Sequence, residues 1–119
     1  MSKSILIEKS YQFSLDIVSL YYNMINNNEY TISKQILKSG TSIGANVREA
    51  NFAESKADFI HKIKIAQKEC SETIYWLDII KDSNRMDYEV KKLHIDSLII
   101  MKILCNTIKS IKLNKNSLP

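Results

Sequence analysis

Residues 39–80 read SGTSIGANVREANFAESKADFIHKIKIAQKECSETIYWLDII, and two helices joined by a short turn account for nearly every position. Ile36, Gly40, Ile43, Val47 and Ala50 recur at alternating four and three residue steps, and Phe59, Ile63, Ala66, Cys70, Thr73, Leu77 and Ile80 continue that rhythm on the far side of the turn. Such spacing puts one side of each segment on a single helical face. Ser55 followed by Asp58 is a capping box with Asp in place of the usual Glu, so the second of these helices starts there. The first is unusually small on its packed side. Gly40 and Gly44 stand one turn apart among Ser39, Thr41, Ser42 and Ala45, which lets another backbone come close at a propensity cost of about 1 kcal/mol per Gly.

Working outward, the same rhythm extends to both ends. Ser2 or Ser4 caps a first helix whose core side is Leu6, Ser10, Phe13, Ile17, Leu20 and Met24, and Asn26, Asn27 and Asn28 end it. Thr31 or Ser33 restarts the chain. Ser83, Asn84 and Asp87 mark the next turn, with Asp87 as cap of a last helix carrying Val90, Leu93, Ser97, Ile100, Leu104, Ile108 and Ile111 inward. The expected helices span about 4–26, 32–53, 56–83 and 87–113, with 114–119 frayed. Short connections favour antiparallel neighbours, so the chain reads as one all-α domain, 1–119, an antiparallel up-and-down four-helix bundle.

Composition agrees. The chain has 119 residues, 45% hydrophobic and 25% charged, with two Gly and one Pro, the Pro last; almost nothing interrupts helix. Its longest uncharged run, 17–28, holds four Asn and falls short of the roughly 20 apolar residues that a membrane span needs. Glu8 and Lys9 break up the apolar Ile5–Ile7, so no secretory signal is expected. Cys70 and Cys105 sit singly in apolar helical patterns, as reduced packing residues do, and a cytoplasmic location follows.

The net charge of +4 is unevenly placed. No acid follows Asp96, whereas Lys102, Lys109, Lys112 and Lys115 do. That tail suits either a polyanion, whose counterions each Lys releases, or the dipole of a helix C-terminus. Lys34, Lys38 and Arg48 fall within about 80° on the second helix, a second basic stripe able to follow a phosphate backbone without reading bases. Lys102, Lys109 and Lys112 cluster on the fourth with Lys91, sharing their sector with Ile95 and Leu98. Apolar residues also spill off the core seams: Ile65, Trp76 and Ile79 on the third helix, and Leu98, Ile99, Met101 and Ile103 on the fourth. A helix apolar all round is buried on every side, so these seven are expected to form a self-association interface, with generous burial inside one bundle as the alternative.

Catalytic signals are absent. Gly40 to Gly44 lacks the glycine spacing and Lys-Ser or Lys-Thr of a phosphate-cradling loop. A di-metal bundle needs Glu-x-x-His twice, but His61 has Asp58 and His94 has Lys91 three residues before it. No metal or cofactor is expected. Asn46, Glu49, Glu69 and Glu72 read as structural: capping backbone groups, pairing with Arg48 or Lys68, or fixing register.

The block SGTSIGANVREA at 39–50, the run Ser55-Lys56-Ala57-Asp58-Phe59 and KECSETIYWL at 68–77 resemble the bacterial four-helix-bundle proteins known as 23S rRNA intervening-sequence proteins. Such proteins are encoded in intervening sequences within ribosomal RNA genes of some bacteria and elsewhere in bacterial genomes, and with no catalytic signal and surplus apolar surface a non-enzymatic homo-oligomer is expected. Related accessory proteins of diversity-generating retroelements form barrel-like homopentamers that bind nucleic acid and reverse transcriptase, so the resemblance implies a pentamer with RNA, DNA or a reverse transcriptase as partner. Nonspecific nucleic-acid binding through Lys34, Lys38, Arg48, Lys102, Lys109 and Lys112 is the leading expectation. A protein-docking or structural oligomer is the alternative.

Overall fold

The apolar seams build four helices and little else. The structure is a computed structural model that describes residues 2–114, with side chains from Ile5 to Leu113. Its helices are α1 (Ser2–Asn26), α2 (Ile32–Ala50), α3 (Lys56–Asp82) and α4 (Lys91–Asn114). α1 packs on α2, α2 on α3, α3 on α4, and α4 returns onto α1, while the backbones of the diagonal pairs stay apart. This is the square, all-α four-helix arrangement that short connections require. Every seam position from Leu6 to Ile108 is buried apart from Phe59, which is partly covered, and Ile111 is partly covered too. Residues 115–119, most of the expected frayed tail, lie outside the described residues, as do the side chains of the expected caps Ser2 and Ser4.

The helix ends are held by side chains of the turns. α1 closes with Asn28 in the left-handed region at φ 66°, where Asn28 N–H donates to Ile25 O and Glu29 N–H to Met24 O. That is a Schellman closure with Asn in the usual Gly place. Glu29 then turns its carboxylate onto the next helix: Oε1 accepts from Ser33 N–H at 2.7 Å and Oε2 from Ile32 N–H at 3.2 Å. Thr31 is the flanking residue but its hydroxyl makes no cap bond. An anionic group on the positive helix start replaces the expected hydroxyl. α2 stops at Ala50 rather than 53, because Phe52 and Ala53 donate to carbonyls three residues back and tighten into a turn. At α3 the expected cap is present and reciprocal: Ser55 Oγ accepts from Asp58 N–H at 3.0 Å, and Asp58 Oδ2 accepts from Glu54 N–H at 3.1 Å. α4 begins at Lys91, four residues later than expected, with Glu89 rather than Asp87 taking the Lys91 N–H at 2.9 Å. Asn84, at φ 58°, reverses the chain before it.

The two glycines face α1. A Cβ at Gly40 would lie 2.8 to 3.0 Å from three side-chain atoms of Ile17, and one at Gly44 would lie 3.1 Å from Ser10 O and Ser14 Oγ. Their small size therefore sets the α1–α2 distance. On the opposite flank of α2, Thr73 Oγ1 donates to Glu69 O at 2.8 Å and pairs with Ser39 Oγ at 2.9 Å, both residues being buried. This polar pair joins α2 to α3 within the core, where Ser10, Ser33 and Ser97 are buried as well.

Candidate nucleic-acid and self-association surfaces

The basic stripe on α2 is on the surface. Lys34, Lys38 and Arg48 are all exposed, and the Arg48 guanidinium sits over the Tyr11 ring of α1, 5.6 Å from its centroid. A cation held over an aromatic face keeps its outer N–H groups available to an anion. Lys102, Lys109 and Lys112 are also exposed, on α4. Because α2 and α4 occupy diagonal corners, their outward faces look in opposite directions. The six basic residues form two separate tracks of three, a division that only the tertiary arrangement reveals.

The expected self-association residues divide differently. Leu98 and Ile99 are 49% and 41% exposed, but Ile65, Trp76, Ile79, Met101 and Ile103 are partly buried within the bundle itself. Trp76, Met101 and Ile103 lean against the core, and Trp76 Nε1 donates to Glu72 Oε2 at 3.1 Å. These positions flank the seams, where a square bundle brings the neighbouring helix over them. The outer face of α1 was missed: Tyr11, Leu15 and Tyr22 are 52%, 44% and 57% exposed, and Ile95 of α4 is 48% exposed. Phe52, at the α2–α3 turn, is 79% exposed. The signal was available in the spacing, since Tyr11, Leu15 and Tyr22 lie on one side of α1 away from its seam.

Of the four polar residues of the central helices, Asn46, Glu49 and Glu72 have side-chain partners, and Glu69 takes part through its backbone carbonyl. Glu49 pairs with Lys62 of α3 at 2.8 Å, rather than with Arg48 or Lys68, and this hydrogen bond, followed by the charge attraction, raises the Lys62 ammonium above its ordinary value. Asn46 Nδ2 donates to Ser42 O at 2.9 Å, and the Glu69 carbonyl receives Thr73. Between α1 and α4, Lys92 bridges Asp96 at 2.8 Å and Asp16 at 3.3 Å, and those two bonds raise its ammonium in turn. His94 Nε2 lies 3.0 Å from Asp78 Oδ1, linking α4 to α3. Cys70 and Cys105 are free thiols; burial, with Cys105 nearby, pushes the Cys70 thiol up to about 12. That disarms it as a nucleophile at neutral pH. No group of three or more His, Cys, Asp or Glu side chains is arranged to hold a metal ion among the described residues, and no described helix is long and apolar enough to cross a membrane.

The comparisons with known proteins agree with this architecture. A family model described as 23S rRNA-intervening sequence protein matches residues 2–106. A crystal structure of a protein with unknown function from the S23 ribosomal protein family of Bacteroides thetaiotaomicron VPI-5482 is similar, with 45% identity and a TM-score of 0.87. The match covers 92% of this chain and 99% of that one. The comparison with curated proteins finds no match.

Proposed function

The chain belongs to the 23S rRNA-intervening sequence protein family, and from that premise we propose that it is a non-enzymatic cytoplasmic protein that assembles with copies of itself and holds RNA or DNA nonspecifically. The observation that carries this reading is the outer face of α4. There Ile95, Leu98 and Ile99 are exposed among Lys91, Lys102 and Lys109, and no acidic residue follows Asp96. Exposed aliphatic area favours covering by another protein surface, while the lysines beyond the last acid of the helix favour a polyanion. The Lys34, Lys38 and Arg48 track on α2 adds a second cationic surface.

Salt dependence of binding tests the nucleic-acid part. Three cations on single-stranded RNA give a slope of about −2 in log affinity against log salt. Replacing Lys34, Lys38 and Arg48 by Ala should flatten the slope by about that amount if α2 carries the binding. Failure to retain any RNA or DNA at low salt refutes it. In that case the second reading, a docking or structural oligomer without nucleic acid, stands on the exposed Tyr11, Leu15, Tyr22 and Phe52.

A further inference from the structure

We infer that the groove between α1 and α2 takes an unpaired base of a single-stranded nucleic acid, stacked against Tyr11 with its phosphate on Arg48. This inference rests on the nucleic-acid reading above and names the form of the strand and its point of contact. Ile7, Tyr11 and Ser14 of α1 face Thr41, Ala45 and Arg48 of α2 across the groove, whose volume of about 450 Å³ lies within the roughly 300–1,000 Å³ that ligand clefts occupy. Gly44 lies between these walls. A Cβ there would be 3.1 Å from Ser10 O and Ser14 Oγ, so the helices touch at this point and the groove opens above it.

Two flat groups line the groove. The Tyr11 ring is 52% exposed, and the Arg48 guanidinium sits over it. An aromatic ring and a guanidinium plane are both surfaces on which a base stacks, whatever its identity. Arg48 also keeps its charge for an anion: neither it nor Lys34 nor Lys38 takes part in the ion pairs made among the described residues. The carboxylate of the lining, Glu49, is held by Lys62 at 2.8 Å, which offsets its charge. Ser14 and Thr41 donate their hydroxyl protons to Ser10 O at 3.0 Å and to Leu37 O at 2.7 Å, so toward the groove they offer lone pairs that suit the N–H edges of bases.

The pairing of ring and cation recurs farther along. At about 100° per residue, Lys34, Lys38, Thr41 and Arg48 share one line of α2, and Tyr11, Ser14 and Tyr21 share one line of α1. Gly44 against Ser10 and Ser14, and Gly40 against Ile17, fix the register of the two antiparallel helices. Stepping from these contacts at about 1.5 Å per residue sets the half-buried Tyr21 level with the stretch between Lys34 and Lys38. A cationic line on one wall and tyrosines on the other suit a single strand, because the charges follow its phosphates while the rings receive its bases. A duplex keeps its base faces covered by their neighbours and gains from the cations alone. The pattern is invisible along either helix by itself, since rings and cations lie on different ones.

Anisotropy of a labelled RNA single strand and of its duplex, followed as salt is varied, tests the site on the full chain. The single strand should bind the tighter of the two. Tyr11→Leu keeps apolar bulk and removes the ring; it should weaken the single strand about tenfold while leaving both its salt slope and duplex binding unchanged. Tyr11→Phe should bind as the parent does. Circular dichroism and sedimentation of each variant check that helices and assembly are intact. Irradiating an iodouracil-substituted strand on the unaltered protein reads the contact without any substitution, and Tyr11 should be the residue it labels. Equal affinity for strand and duplex, with Tyr11→Leu neutral and the label elsewhere, overturns the base site while binding through phosphates stands. A chain that retains neither form at low salt overturns both readings.

Discussion

Adding one methyl group at Gly40 tests the packing argument at its tightest point. In an isolated helix, Gly→Ala is favourable by about 1 kcal/mol, because alanine loses less backbone freedom. Here the new Cβ would lie 2.8, 2.9 and 3.0 Å from Cγ1, Cγ2 and Cδ1 of Ile17, which is itself 0% exposed. Ile17 is β-branched and enclosed, so it cannot swing aside in a single rotamer step. Relief requires α1 and α2 to separate. Overpacking of this kind costs about 1–3 kcal/mol, and contact with three atoms of one stiff side chain puts Gly40→Ala at the upper end. Subtracting the propensity gain leaves a net loss of about 2 kcal/mol, or roughly 8 °C in Tm for a chain of this size. Urea unfolding followed by circular dichroism measures it. The decisive arm is the same substitution in an Ile17→Ala background, where the obstructing atoms are gone. There Gly40→Ala should change sign and stabilise by about 1 kcal/mol. A Gly40→Ala protein as stable as the parent, or a loss that persists with Ala at position 17, refutes the view that glycine is present for close approach.

Other changes probe separate parts of the fold. Thr73→Val leaves the buried Ser39 hydroxyl without its partner and should cost about 1–3 kcal/mol, whereas adding Ser39→Ala should give a double variant less destabilised than the sum of the singles, as read by denaturant titration. Ser55→Ala removes the cap of α3 and should cost about 1 kcal/mol in the same assay, with Ser55→Gly costing only a few tenths. At neutral pH one thiol, Cys105, should react with a disulfide reagent in the folded protein and two after denaturation, since Cys70 is buried. The unfolded chain releases the Cys70 proton near the ordinary 9.0 and the folded chain only near about 12, so the folded state holds more protons between those values. This contribution is complete below pH 9 and declines as pH rises toward 12, by at most about 1.4 kcal/mol per pH unit. Cys70→Ala should remove that part of the slope.

Periodicity made the core legible before any coordinates. Ser10, Gly40, Cys70, Thr73 and Ser97 are not large apolar residues, yet each sits at a seam step and each is buried, because on a helix position decides burial as much as residue type does. Helix ends were readable only where the cap lies inside the local pattern, as at Ser55 and Asp58. At α4, three acidic or amide residues compete within a few positions, and Glu89 wins because its longer side chain reaches the Lys91 N–H from two residues away. Glu29 likewise displaces Thr31 by placing two oxygens on the start of α2. Surface roles were the least legible. Trp76 and Ile103 looked surplus on a helical wheel, but the neighbouring corner of a square bundle covers part of what the wheel leaves open. Conversely, the spacing already sets Tyr11 and Tyr22 of α1 opposite its seam, and they stay exposed because α2 and α4 pack on the seam side.

The diagonal placement of α2 and α4 also limits the shape of any complex with a polyanion. Cations on opposite corners of a rigid rod cannot embrace one strand; each track would engage a different one, so the particle would act as a spacer that crosslinks. Mixtures near charge equivalence would then scatter light strongly and clear again with either component in excess, whereas a one-sided cationic surface would titrate smoothly to saturation.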